Sequence, residues 1–195
     1  MGKEGKITMM LLALIFMGSV VYQVDQQRKD LQNIIHTHEQ KRDSILIEYK
    51  KLNAHYDSIL SIVDSLPLGS PLDTLEVSSN YGWRRSPLRS GWQMHAGTDY
   101  MAIWSDTVYA TGSGVVKKTR WMGGYGRCIV IDHAWGYQSY YAHLYKYFVT
   151  TGDTVEKGQP IARAGNSGAV TGPHLHYEIR REGKTADPAL FMLDI

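Results

Sequence analysis

The sequence predicts a mostly antiparallel β domain preceded by an apolar membrane-spanning helix and a long coiled-coil helix. Three observations carry that prediction. Residues Ile7 to Val24 form an apolar run broken by Thr8, Ser19 and Gln23. Apolar positions then recur at alternating spacings of four and three as far as Leu66. From Val77 onward, short β-branched and aromatic runs alternate with Gly-rich turns, the pattern of strands rather than helices.

The apolar run comes first. Eighteen residues at the helical rise give roughly 27 Å, close to the hydrocarbon thickness of about 30 Å. Lys3 and Lys6 precede it and Arg28 and Lys29 follow it, so charge says little about orientation. A cleaved signal peptide is the rival reading. Gly18 and Ser19 are small, but Val20, Val21 and Tyr22 behind them make a poor cleavage site, so the expectation is a retained anchor within residues 1–24.

Residues 25–66 read as helix. Leu31, Ile35, His38, Arg42, Ile45, Tyr49, Leu52, Tyr56, Ile59, Val63 and Leu66 form a heptad seam, which predicts a coiled coil and, through it, a homo-oligomer or a regulatory partner. His38 and Arg42 interrupt the seam; polar residues there fix register or loosen packing. One amphipathic helix lying against the β domain is the alternative. Pro67 stops the helix, and residues 67–76 read as a short linker.

The β domain is expected over residues 77–195. Strand-like runs begin at Thr107, Gly114, Cys128 and Tyr137, and a short helical turn is expected near Pro188. Gly152-Asp-Thr-Val-Glu-Lys-Gly158-Gln-Pro-Ile161 reads as a structural hairpin, and Gly165-Asn166-Ser167-Gly168 as a turn. Cys128 is the only cysteine, so no intramolecular disulfide forms, and its place among Ile129, Val130 and Ile131 suggests a buried strand residue. A net charge of +2 offers no nucleic-acid surface.

Candidate chemistry lies in three places. His174 and His176, two apart on a strand, project from one face: both can hold a metal, or one can hold it while the other moves protons. His95 and Asp99 would share a helix face, but Gly97 between them argues against helix. On a straight strand they would stand roughly 13 Å apart, too far for one ion, so a bend at Gly97 is needed. His143 closes the aromatic run Tyr140-Tyr141-Ala142.

His95-x-Gly-x-Asp99, Tyr141-Ala-His143-Leu and Thr171-Gly-Pro-His174-Leu-His176 occur in one chain and in that order. Together with Ser79-Asn-Tyr-Gly-Trp-Arg84, they resemble the signatures of the M23 peptidases, lysostaphin-type zinc endopeptidases of peptidoglycan, over residues 78–188. That resemblance implies one Zn2+ held by His95, Asp99 and His176, with His143 and His174 as the catalytic pair. It also implies hydrolysis of peptide cross-links between peptidoglycan stem peptides, with the catalytic domain outside the membrane. Two histidines and a carboxylate leave zinc's fourth position open, as hydrolysis requires. The family often adds a tyrosine that steadies the oxyanion; no residue matches it by motif, and Arg85 or Arg89 could serve instead. A non-enzymatic activator of other wall hydrolases, or a zinc domain used only as a scaffold, would share the architecture, but the complete residue set favours the enzyme.

Overall fold

A computed structural model of the chain describes residues 2–88 and 90–192. It comprises two compact units, residues 1–57 and 58–195.

A single helix, α1 (Lys3–Asp64), accounts for the first unit and enters the second. It does not pause where the apolar run gives way to the heptad pattern, because no Gly or Pro lies between Ser19 and Leu66 to break it. Its apolar stretch has a mean hydropathy of 2.0 over 18 residues, long and apolar enough to cross a membrane. The seam residues Leu31, Ile45, Tyr49, Leu52 and Tyr56 are exposed in the single chain.

The helix ends on the β domain. The last carbonyls of a helix lack intrahelical donors; here the Ser113 amide donates to the Asp64 carbonyl at 2.6 Å, and the Ala134 amide to that of Ser65 at 3.3 Å. Residues 67–76 continue this packing. Pro67, Pro71 and Leu72 are buried, and the Gly69 and Tyr109 amides donate to the carbonyls of Thr111 and Pro71.

Among the described residues, thirteen strands follow in the order β1 (Val77–Ser79), β2 (Gly82–Arg85), β3 (Trp92–His95), β4 (Thr98–Met101), β5 (Thr107–Tyr109), β6 (Gly114–Trp121), β7 (Arg127–Asp132), β8 (Tyr137–Ala142), β9 (Lys146–Tyr147), β10 (Thr154–Val155), β11 (Pro160–Arg163), β12 (His174–Arg181) and β13 (Lys184–Ala186). The main sheet runs β1-β4-β12-β8-β7-β6-β10, with β13 on the far half of β12. A second sheet is β5-β11-β9, and β2 and β3 form a separate hairpin. Every pairing is antiparallel, as expected from sequence. A 3-10 turn at Pro188–Phe191 matches the helical turn expected there.

The segment Gly152–Ile161 departs from expectation. Its two strands do not form a hairpin with each other: β10 pairs with β6, whereas β11 pairs with β5 and β9. The turn residues are those of a hairpin, but the strands find long-range partners in different sheets.

Alternation along β12 sets the layout. Leu175, Tyr177 and Ile179 face the core with Ile129, Ile131, Tyr141, Leu144 and Ile161, all fully buried, each side chain contributing about 1.5–3 kcal/mol. His174, His176 and Glu178 take the opposite face. Cys128 is fully buried on a strand, as expected, and burial pushes its thiol up to about 12, so it is inert.

Candidate active site

The site grows out of β12 and its two neighbours. On β4, Asp99 is in register with His176, so the two side chains emerge side by side. His95 ends β3, and the chain turns at Ala96-Gly97 before β4 begins. Gly97 is required there by close approach. A Cβ on it would lie 2.9 Å from the Tyr177 carbonyl carbon, 2.7 Å from Glu178 Cγ and closer still to the Tyr177 oxygen. The bend expected at Gly97 is present, but glycine is required there by close contact with β12 rather than by a left-handed φ.

The bend brings three atoms together. His95 Nε2 is 3.0 Å from Asp99 Oδ1 and 3.1 Å from His176 Nδ1, and His176 Nδ1 is 2.7 Å from Asp99 Oδ1. All three residues are buried and could hold a metal ion. The other polar atom of each is committed elsewhere. His95 Nδ1 donates to the Asn80 carbonyl at 2.8 Å, His176 Nε2 donates to Glu178 Oε1 at 2.9 Å, and Arg84 Nη2 donates to Asp99 Oδ2 at 3.2 Å. With those outer nitrogens protonated, the neutral rings turn lone pairs toward Oδ1. Three acceptors facing one another need a cation or a proton between them. Donors in a tetrahedral site with bonds of about 2.1 Å stand about 3.4 Å apart, so a small outward movement fits zinc.

Charge balance follows the same geometry. Burial tends to raise the Asp99 carboxyl, but when protons rather than an ion lie between the three groups, hydrogen bonds from the protonated His176 and His95 rings and their charges outweigh it and hold the group far below the usual carboxylate range. For His176, burial opposes the imidazolium, yet Asp99 and Glu178 raise it above the ordinary histidine value.

His143 and His174 stand beside this cluster. His143 follows the end of β8, where Ala142 pairs with His176, and its backbone is left-handed (φ 60°), uncommon for a residue with a side chain. Its Nδ1 donates to the Ser167 carbonyl at 2.8 Å. The Ser167 hydroxyl in turn donates to the Leu144 carbonyl and accepts from the Arg127 amide, so the turn predicted at 165–168 is tied down. His174 Nδ1 donates to the Gly172 carbonyl at 2.9 Å, and its Nε2 is 3.7 Å from Asp99 Oδ1. The rings of His143 and His174 are 4.7 Å apart. Burial pushes the His143 imidazole down to about 4, the Ser167 carbonyl opposing, so it is neutral near pH 7. All five residues border one cleft of about 620 Å³, walled by the β2–β3 hairpin on one side and by residues 122–125 and 169–171 on the other.

Sequence reasoning missed four neighbours. Arg84, not Arg85, reaches the cluster; Arg85 points to the exposed face of β2, and Arg89 lies outside the described residues. Glu178 and Arg180 continue the period-two face begun by His174 and His176, a signal present in the sequence. Tyr125 arrives from a distant turn; its ring is 5.6 Å from that of His176, and its hydroxyl donates to Glu178 Oε1 at 2.7 Å.

Comparison with known proteins gives a consistent picture. A sequence model described as Peptidase family M23 matches residues 93–188. The peptidoglycan DD-endopeptidase ShyC of Vibrio cholerae is 39% identical over 135 residues, 69% of this chain and 31% of that protein. The DD-carboxypeptidase/endopeptidase Mpg of Neisseria meningitidis is 39% identical over 118 residues, 60% of this chain and 27% of that protein. The chain thus spans under a third of these curated relatives. Among solved structures, the catalytic domain of lysostaphin from Staphylococcus simulans is similar with a TM-score of 0.56 and 31% identity, over 60% of this chain and 91% of that one. A zinc-containing peptidase from Vibrio cholerae is similar with a TM-score of 0.57 and 32% identity, over 68% of this chain and 40% of that one.

Proposed function

Because this chain belongs to peptidase family M23, we propose that it is a membrane-anchored zinc endopeptidase that cuts peptide cross-links of peptidoglycan. The observation that carries the reading is the convergence of His95 Nε2, Asp99 Oδ1 and His176 Nδ1 within 3.1 Å, each residue's other polar atom being engaged by the protein. We assign these three as the zinc ligands. Zinc, when bound, supplies a Lewis acid for the scissile carbonyl and a water acidified toward neutrality.

The remaining work falls to the chain itself. His143 and His174 each spend Nδ1 on a backbone carbonyl, which leaves Nε2 as the working nitrogen of a residue that borders the cleft. His143, kept neutral by burial, is suited to accept a proton from the attacking water. His174, adjacent to it, is suited to hold developing charge or to return a proton to the departing amine. Arg84 holds the outer oxygen of Asp99 and so fixes which oxygen faces the two rings.

The N-terminal helix supports a single membrane span with the β domain on the extracytoplasmic side, where wall peptides lie. The exposed seam between Leu31 and Ile59 supports self-association as a coiled coil. Purified full-length chain in detergent, incubated with isolated walls, is the test. Released cross-link fragments that disappear with a chelator and return with Zn2+ are expected; walls left intact under all conditions would overturn the reading.

A further inference from the structure

Everything asked of His176 as a ligand happens at Nδ1, yet its other nitrogen is held more elaborately than that of any ring beside it. His176 Nε2 donates to Glu178 Oε1 at 2.9 Å, and the Glu178 side chain is fully buried. Oε1 also accepts the Tyr125 hydroxyl at 2.7 Å; Oε2 accepts Arg180 Nε at 2.7 Å and pairs with Arg180 Nη2. Arg180 Nη2 closes the loop by donating to the Tyr125 oxygen at 3.0 Å, and the guanidinium lies 4.1 Å over the Tyr140 ring.

A structural ion pair would explain Glu178 and Arg180 alone. It would not explain why the ring nitrogen and the phenol share the second oxygen. Nor is Glu178 placed to take a proton from substrate, since it has no solvent-exposed surface and its oxygens are already met by four donors. An ionised carboxylate only accepts, so its partner nitrogen must carry hydrogen, and the lone pair of a neutral ring must then sit on Nδ1. His95, His143 and His174 are oriented by neutral backbone carbonyls. Of the four rings, His176 is the one held by a full negative charge, which increases the basicity of the opposite nitrogen.

We propose that Glu178, clamped by Arg180 and Tyr125, is a positioning residue that locks the tautomer of His176 and strengthens its Nδ1 as a metal ligand. The proposal rests on the assignment of His176 to the zinc site.

Its test measures Zn2+ affinity of the full chain in detergent by competition with a chromophoric chelator, beside the melting temperature of the metal-free protein. Glu178→Gln is expected to bind Zn2+ about 10–100-fold more weakly and to shift the visible absorption of the Co2+-loaded protein. Since it strands the Arg180 charge, the double variant Glu178→Gln with Arg180→Met is measured too and should show the same weakening. Tyr125→Phe, which removes one hydroxyl, should weaken Zn2+ about fivefold, the effect of one hydrogen bond. If the Glu178 variants melt earlier but, while folded, bind Zn2+ within twofold of wild type, the residue is merely structural and the proposal fails. If neither folds, wild-type affinity in Tyr125→Phe overturns it. Wild-type chain that binds no Zn2+ would instead bring down the ligand assignment itself.

Discussion

Replacing Gly97 by alanine tests whether the proposed metal site depends on close contact between the turn entering β4 and β12. The added Cβ would sit 2.7 Å from Glu178 Cγ and 2.9 Å from the Tyr177 carbonyl carbon, where ordinary contact begins at 3.4 Å. The Tyr177 carbonyl oxygen is closer still, so the two strands must part by about 1.1 Å, and that nearest obstacle is backbone rather than the end of a flexible chain. Overpacking of this kind costs about 1–3 kcal/mol, which in a domain of this size lowers Tm by about 3–15 °C. The larger effect falls on the site. Asp99 and His176 face each other across those same strands, where zinc needs an opening from 2.7 Å to about 3.4 Å; a parting of about 1.1 Å overshoots this by more than the ~0.2 Å that metal bonds tolerate. Gly97→Ala should thus retain its fold at 25 °C and yet lose stoichiometric zinc. Gly172→Ala is the matched control: a Cβ there meets nothing within 4 Å, and its carbonyl still accepts from His174. Thermal melts and metal analysis of both variants decide the matter. Wild-type zinc content together with an unchanged Tm in Gly97→Ala would refute the steric argument.

Three further outcomes are expected. His95→Ala and Asp99→Ala should each lose stoichiometric zinc on metal analysis, and full zinc content in both would sink the ligand set. His174→Ala and His143→Ala should retain zinc while turnover on isolated walls falls about 10²–10⁴-fold; loss of zinc from His174→Ala as complete as from His176→Ala would mean a differently built site. N-terminal sequencing of protein recovered from membranes should find Ile7 to Val24 still attached, and a mature chain starting near Val20 would show cleavage instead.

How far these features could be read in advance depended on the range of the interaction behind each. The strands were legible because alternation and Gly-rich turns are local. The five residues that gather in the cleft could be singled out because each lies in a short motif whose order matches a known family. Gly97 was placed correctly for an incomplete reason: its neighbour on β12 is about 80 residues away, and sequence shows only that the residue lacks a side chain. Arg84 and Arg85 are adjacent and chemically alike; only the β2–β3 register, with Gly82 opposite His95, determines which one turns inward. The segment 152–161 was misread because turn residues report a reversal of the chain but not which sheet receives each strand. Tyr125 was hidden altogether, joined to Glu178 across 53 residues by one hydroxyl.

The way the four cleft histidines are oriented has a consequence for how sequence drift would affect the site. His95, His143 and His174 are aimed by the carbonyls of Asn80, Ser167 and Gly172, groups that persist whatever side chain those positions carry. A substitution at Asn80 can move the backbone, but it cannot delete the acceptor. His176 depends on Glu178, whose carboxylate vanishes with a single codon change. Within one cleft, three rings are therefore buffered against mutation by the main chain, while the fourth is exposed to it.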